Sequence, residues 1–96
     1  MTRGTARKYA RQHVDSLHAL VRIQMTAGAD PDDFESHLRA ESGVAEAWRL
    51  AGDCDFEVRL SCESLADLDA AVAQFREAGA ITLTTLVLHR VRLDDR

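Results

Sequence analysis

Residues 54–62 read CDFEVRLSC, and from Phe56 onward every second side chain is apolar. Phe56, Val58, Leu60 and Cys62 share one face of such a segment, and Glu57, Arg59 and Ser61 share the other. A period of two marks a strand buried on one side only. A strand of that kind requires a sheet, and the sheet requires a second layer over its apolar face. Residues 18–27, HALVRIQMTA, repeat the pattern. Ala19, Val21, Ile23 and Met25 face one way, and Leu20, Arg22, Gln24 and Thr26 the other.

The covering layer is legible between the strands. In ADPDDFESHLRAESG, Asp30 is placed to cap a helix and Pro31 to open it. Asp32 and Asp33 meet the positive end of the helix dipole. Phe34 and Leu38 stack one turn apart, and Gly43 is expected to end the segment. A second helix follows the capping pair Ser64 and Asp67. Leu65, Leu68, Val72 and Phe75 form its buried stripe, and Gly79 ends it. Two further strands complete the set. VAEAWRLA (44–51) alternates weakly. AITLTTLVLHRVRL (80–93) is expected to be long, with Ile81, Leu83, Thr85 and Val87 opposite Thr82, Thr84, Leu86 and Leu88.

The order is βαββαβ. Right-handed crossovers turn it into an α+β, ferredoxin-like sandwich. Its four-stranded antiparallel sheet has the order 4-1-3-2, with both helices on one face. The other face is left open, and Leu20, Arg22, Leu86 and Leu88 are expected on it beside Thr82, Thr84 and Arg90. A partly apolar open face marks an association surface. A two-fold dimer, sheet against sheet, is the expected assembly.

Ninety-six residues make one small domain, stable by a narrow margin alone and helped by association. Of the twelve basic side chains, four lie in residues 1–14, beside none of the sixteen acids. Residues 1–16 therefore read as a basic arm and 17–96 as the folded domain. The acidic body repels nucleic acid, so no specific DNA binding by this chain is expected. Cys54 and Cys62, read as lying in one strand, would stand roughly 26 Å apart at about 3.3 Å per residue. A disulfide needs Cα atoms within about 7 Å, so both are expected free, in a reducing compartment. No stretch has the length of a membrane span or the core of a signal peptide. The chain reads as cytoplasmic. The four histidines are scattered without metal spacing, and no metal or cofactor is expected.

The segment GVAEAWRLAGDCDFEVRL resembles the effector-binding and oligomerisation domain of the Lrp/AsnC regulators, the feast/famine family. The matching residues are Gly43-Val44, then Gly52-Asp53-Cys54-Asp55-Phe56, then Thr82-Leu83-Thr84 at the opening of the last strand. The resemblance covers about residues 17–93. Cys54 stands where the family usually has tyrosine, and the second helix is about a turn shorter than usual. The family's helix-turn-helix domain has no room in the first seventeen residues, so a stand-alone effector domain or a piece of a longer regulator is expected.

The resemblance implies a small effector, an amino acid, bound between subunits near the Gly52-Asp53 turn. Gly52, Asp53, Cys54, Asp55, Thr82 and Thr84 are the candidate ligand residues. Carboxylates suit an ammonium group, while N–H groups and hydroxyls suit a carboxylate. Each has a plainer role beside this one. Gly52 and Asp53 are also turn formers, Thr82 and Thr84 strand formers, and Trp48 an edge packing residue. Cys54, between two carboxylates, is a poor nucleophile. A ligand-free assembly partner of full-length Lrp/AsnC regulators is the alternative function. A small enzyme of the dimeric α/β-barrel type ranks last, since no His–carboxylate pair recommends itself.

Overall fold

The computed structural model describes residues 16–94. Its elements are β1 (Leu17–Met25), α1 (Pro31–Ala40), β2 (Val44–Arg49), β3 (Phe56–Cys62), α2 (Leu65–Glu77) and β4 (Ala80–Leu86). One sheet has the order β2-β3-β1-β4, with every neighbouring pair antiparallel. This is the expected βαββαβ sandwich with its expected strand order. Apart from Ser16, the basic arm lies outside the described residues.

Both helices start where their caps stand. Asp30 Oδ1 accepts from the Asp32 N–H at 2.9 Å, and Ser64 Oγ accepts from the Asp67 N–H at 3.1 Å. Each bond satisfies a donor that the first turn of a helix would otherwise leave unpaired. The two helices and the sheet meet at three phenylalanines. The ring of Phe34 on α1 lies 5.2 Å from that of Phe56 on β3 and 5.8 Å from that of Phe75 on α2. Around them Ala19, Val21, Ile23, Val58, Leu60 and Val72 complete one continuous core.

The structure corrects the sequence reading in four places. First, α1 stops at Ala40, where the Glu41 N–H bonds the Leu38 carbonyl. Gly43 is not its cap but a close-packing position, where a Cβ would stand 3.3 Å from Cys62 Sγ. Second, β2 is shorter than 44–51, and its ladder carries a bulge between Val44 and Glu46. The extra residue moves Glu46 and Trp48 to the open face, which is why the alternation looked weak. Third, β3 begins at Phe56, so Cys54 precedes the strand. Both cysteines are buried and free.

The fourth correction concerns β4. Thr82, Thr84 and Leu86 pair with Ile23, Val21 and Ala19, all of them core residues. Directly opposed residues share a face, so these three lie on the helix side and not on the open face. Ile81, Leu83 and Thr85, opposite Gln24, Arg22 and Leu20, occupy the open face. Apolar residues fall on both faces of this segment, so alternation alone did not identify the inner one. Buried Ala80 marks it. The strand ends at Leu86, opposite Ala19, two residues short of the start of β1. The Val87 N–H makes a further bond to the His18 carbonyl. Leu88 lies past the strand, almost wholly exposed, yet it borders a cavity of about 640 Å³ with the open-face residues His18, Glu46 and Arg59.

Gly79 joins α2 to β4 with φ 99°, and a Cβ there would approach Ala29 Cβ to 2.9 Å. Its carbonyl also accepts from both the N–H and the hydroxyl of Thr26. Backbone angle and space both demand glycine here. Gly79→Ala should therefore lower stability by about 1–3 kcal/mol, the cost of a strained non-glycine residue, read from the midpoint of urea unfolding.

Candidate functional site

The six residues between β2 and β3 form the hairpin tip, and it is tied down at one end. The Asp55 carbonyl accepts from the Leu50 N–H at 2.9 Å, and the Asp55 N–H donates to the Ile23 carbonyl at 2.8 Å. Asp55 Oδ2 accepts from the Met25 N–H at 2.7 Å. One carboxylate thus fastens the hairpin to the end of β1. Gly52, at the exposed tip, has φ 157°, and a Cβ there would meet nothing within 4 Å. Its need for glycine comes from the backbone angle alone.

Between these points Asp53 and Cys54 turn toward the open sheet face and meet Arg22. Arg22 Nη2 donates to Asp53 Oδ1 at 2.9 Å and lies 3.4 Å from Cys54 Sγ. These contacts, with Cys54 first and Asp53 after it, hold the guanidinium proton more tightly than usual. Arg22 reaches them because β1 alternates. Val21 and Ile23 enter the core, so Arg22 between them must leave by the other face.

Arg22, Asp53 and Cys54 line a cleft of about 190 Å³, closed on its far side by Ile81, Thr82 and Leu83 of β4. The hairpin and the start of β4 therefore do meet at one end of the sheet. Of the ligand candidates, Asp53, Cys54 and Thr82 border this cleft. The Thr82 hydroxyl accepts from Arg76 Nε on α2 at 3.0 Å, as its helix-side position requires. Thr84 is not brought to the cleft, because its place opposite Val21 sets it farther along the helix side. The Asp55 carboxylate is engaged by Met25. Five cleft residues were absent from the ligand set read from sequence: Arg22, Ile23, Gln24, Ile81 and Leu83. The sequence reading had placed Arg22 on the open face, where it lies, but not at the cleft.

Among the described residues, no group of three or more His, Cys, Asp or Glu side chains is placed to hold a metal ion. None of their helices is long and apolar enough to cross a membrane.

The sequence profile of the Lrp/AsnC ligand binding domain matches residues 18–96. Among solved structures, LrpC of B. subtilis superposes with a TM-score of 0.76 at 17% identity, over 88% of this chain and 59% of that one. The feast or famine regulatory protein Rv3291c of M. tuberculosis, complexed with L-methionine, superposes with a TM-score of 0.73 at 22% identity. That match covers 93% of this chain and 60% of the other. FFRP-DM1 gives a TM-score of 0.63 at 24% identity, over 75% of this chain and 99% of that one. The chain thus spans 59% and 60% of the length of the first two relatives. No curated protein matches it.

The hairpin's two carboxylates differ in what they hold, and substitution should separate them. Asp55→Ala should cost about 1–3 kcal/mol in urea unfolding, because it leaves a partly buried N–H without its acceptor. Asp53→Ala, which removes a solvent-exposed pair, should leave the midpoint close to that of the parent.

Proposed function

The chain belongs to the Lrp/AsnC family through its ligand binding domain, and on that premise we propose that it is a regulatory module of transcription that assembles with itself and binds a small effector, an amino acid, at the hairpin cleft. The observation that carries this reading is the cleft itself. It sets a cation, a carboxylate and exposed apolar side chains within reach of one another, and it opens onto the sheet face through which subunits would meet. A free amino acid offers the complementary set: an ammonium, a carboxylate and a side chain. The methionine complex of Rv3291c supports an amino acid as the class of effector.

Self-assembly is supported by the open face. Leu83 and Ile81 of β4 stand 65% and 57% exposed on this face, and half-exposed Trp48 stands on the opposite edge strand, across Glu57 and Arg22. With Leu20 they make an apolar surface that the two helices, on the opposite side, cannot cover. A second copy turned by a two-fold axis would cover it with the same residues. Leu88, bordering the cavity at the other end of this face, would join the contact.

The second reading is a ligand-independent assembly partner of full-length relatives. It is favoured by the pairing of Asp53 with Arg22 within the chain, which already satisfies the cleft's charges. The enzymatic alternative lacks a chemical basis in this cleft, which no imidazole borders among the described residues.

Two measurements test the proposal. Light scattering of the full chain at micromolar concentration should show a dimer or larger, and Leu83→Asp should yield a folded monomer, since it places an unpaired charge in the contact. A monomeric parent would remove the sheet-to-sheet assembly. A thermal-shift screen of the amino acids should find at least one that stabilises the protein, by about 2.7 kcal/mol at a hundred times its Kd. If none does so at millimolar concentration, the assembly-partner reading takes its place.

A further inference from the structure

Two cavities meet the chain where its described part begins, and Ser16 borders both. The first, of about 640 Å³ at the far end of the open face, is edged by Arg59, Arg90, His18 and His89 with one carboxylate, Glu46. Arg59 already holds that carboxylate at 2.8 Å. The second, of about 530 Å³, lies on the helix side, between the end of β3, the turn from α1 to β2, and α2. Glu41, Glu63 and Asp67 border it, and no Lys, Arg or His does.

The charge of this second cavity is unbalanced. Among the described residues, none of its three carboxylates has an ion-pair partner. Asp67 stands in the first turn of α2, where the helix dipole favours an anion. Glu41 has the opposite setting. It caps the C-terminus of α1, at the negative end of that helix's dipole, and accepts only a long 3.3 Å bond from the Gly43 N–H. The field reaches the cavity floor: burial, and then the charges of Asp67 and Glu41, push the Cys62 thiol up. A cavity of one sign draws cations from elsewhere.

The segment that runs into Ser16 carries them. Residues 1–14 hold Arg3, Arg7, Lys8 and Arg11 and no acid, and only Asp15 intervenes. We propose that this basic arm turns back onto the helix side and docks in the acidic cavity, with Arg11 and Lys8 meeting Glu41, Glu63 and Asp67. The inference is independent of the effector reading above.

Reach, charge and tethering favour this occupant. At about 3.6 Å per residue at most, roughly 18 Å of chain joins Arg11 to Ser16 and roughly 29 Å joins Lys8 to it. Both lengths suffice for a cavity that Ser16 itself borders. Charge decides between the two cavities within reach, since the first repels a guanidinium and the second attracts it. The short tether gives the arm an effective concentration on the order of millimolar, well above that of any free basic peptide at micromolar level. Exposed ion pairs are weak singly and screened by salt, so the docked arm is held reversibly. While docked, its cations are withheld from nucleic acid, and the open sheet face stays clear for a second copy.

Nuclear magnetic resonance on the full chain tests this. Lys8→Gln combined with Arg11→Gln neutralises the arm far from the cavity in sequence. At about 0.01 M salt, where charges act over roughly 30 Å, this variant should shift the Gly43, Glu63 and Asp67 amide resonances. Those of Asp53 and Cys54 in the hairpin should stay in place. At about 1 M salt, with a range of roughly 3 Å, parent and variant should coincide at the cavity. Trypsin gives the reciprocal reading. Glu41→Gln combined with Glu63→Gln should raise cleavage after Arg11 about threefold or more at low salt, the effect of losing one or two exposed pairs. Circular dichroism should be unchanged. Refolding the isotope-labelled arm variant with an excess of unlabelled parent should not restore its cavity resonances. The proposal is overturned if the arm variant leaves the cavity amides in place, or if the cavity variant is cut at the parental rate. Restoration in the mixed sample would also overturn it, by giving the cavity to the arm of another copy.

Discussion

Everything in this domain is hung on β1. It is the inner strand between β3 and β4, and its two faces do opposite jobs. Ala19, Val21 and Ile23 are buried almost completely against the helices. Leu20, Arg22 and Gln24, one residue out of phase, stand on the open face. A slip of one residue would exchange the two sets, putting a guanidinium into the core and three apolar side chains into water. Burial of that face therefore sets the register of both neighbours. The register in turn places Arg22 beside the hairpin and Leu83 beside Arg22. The site's geometry is in this sense a by-product of the core.

The hairpin shows how the same register reaches the site. β3 enters the ladder at Phe56, whose ring packs against Phe34 and whose partner across the sheet is Ile23. The residue before it, Asp55, is then held over the end of β1, where its carboxylate takes the Met25 N–H. With Asp55 fixed, Cys54 and Asp53 are carried into contact with Arg22. Arg49 performs a comparable service on the other side of the sheet. It bonds Asp32 and Glu35 of α1 and lies 5.9 Å over the Phe56 ring. The hairpin is thus braced from the helix layer below, while its tip stays open to the cleft above.

The parts of the fold that were legible in the sequence are those with only one reasonable partition into faces. β3 is apolar on one side alone, and α1 and α2 carry caps whose bonds are seen as expected. β4 was misread because it is apolar on both sides, so its phase depends on Ala80 packing under α2, a tertiary fact. β2 read weakly because one inserted residue breaks its period. Gly43 was taken for a helix cap, since glycine after a helix commonly is one, but its bare Cα instead makes room for Cys62. At the site, the Gly52-Asp53 turn and its nearness to the start of β4 followed from topology. Arg22 did not, because nothing local to HALVRIQM shows that residue 53, thirty-one positions on, will sit 2.9 Å away.

The position of Arg22 also joins the two proposed activities. The apolar residues offered to a second subunit, Leu20, Ile81 and Leu83, surround the same guanidinium that closes the cleft. When a second sheet covers this face, water is displaced from around the Arg22–Asp53 pair, and charges there interact more strongly than they do in the exposed chain. Any group that enters the cleft must then satisfy both charges, because neither can be left to solvent. Under the proposed function, assembly and effector binding would be coupled through this single side chain.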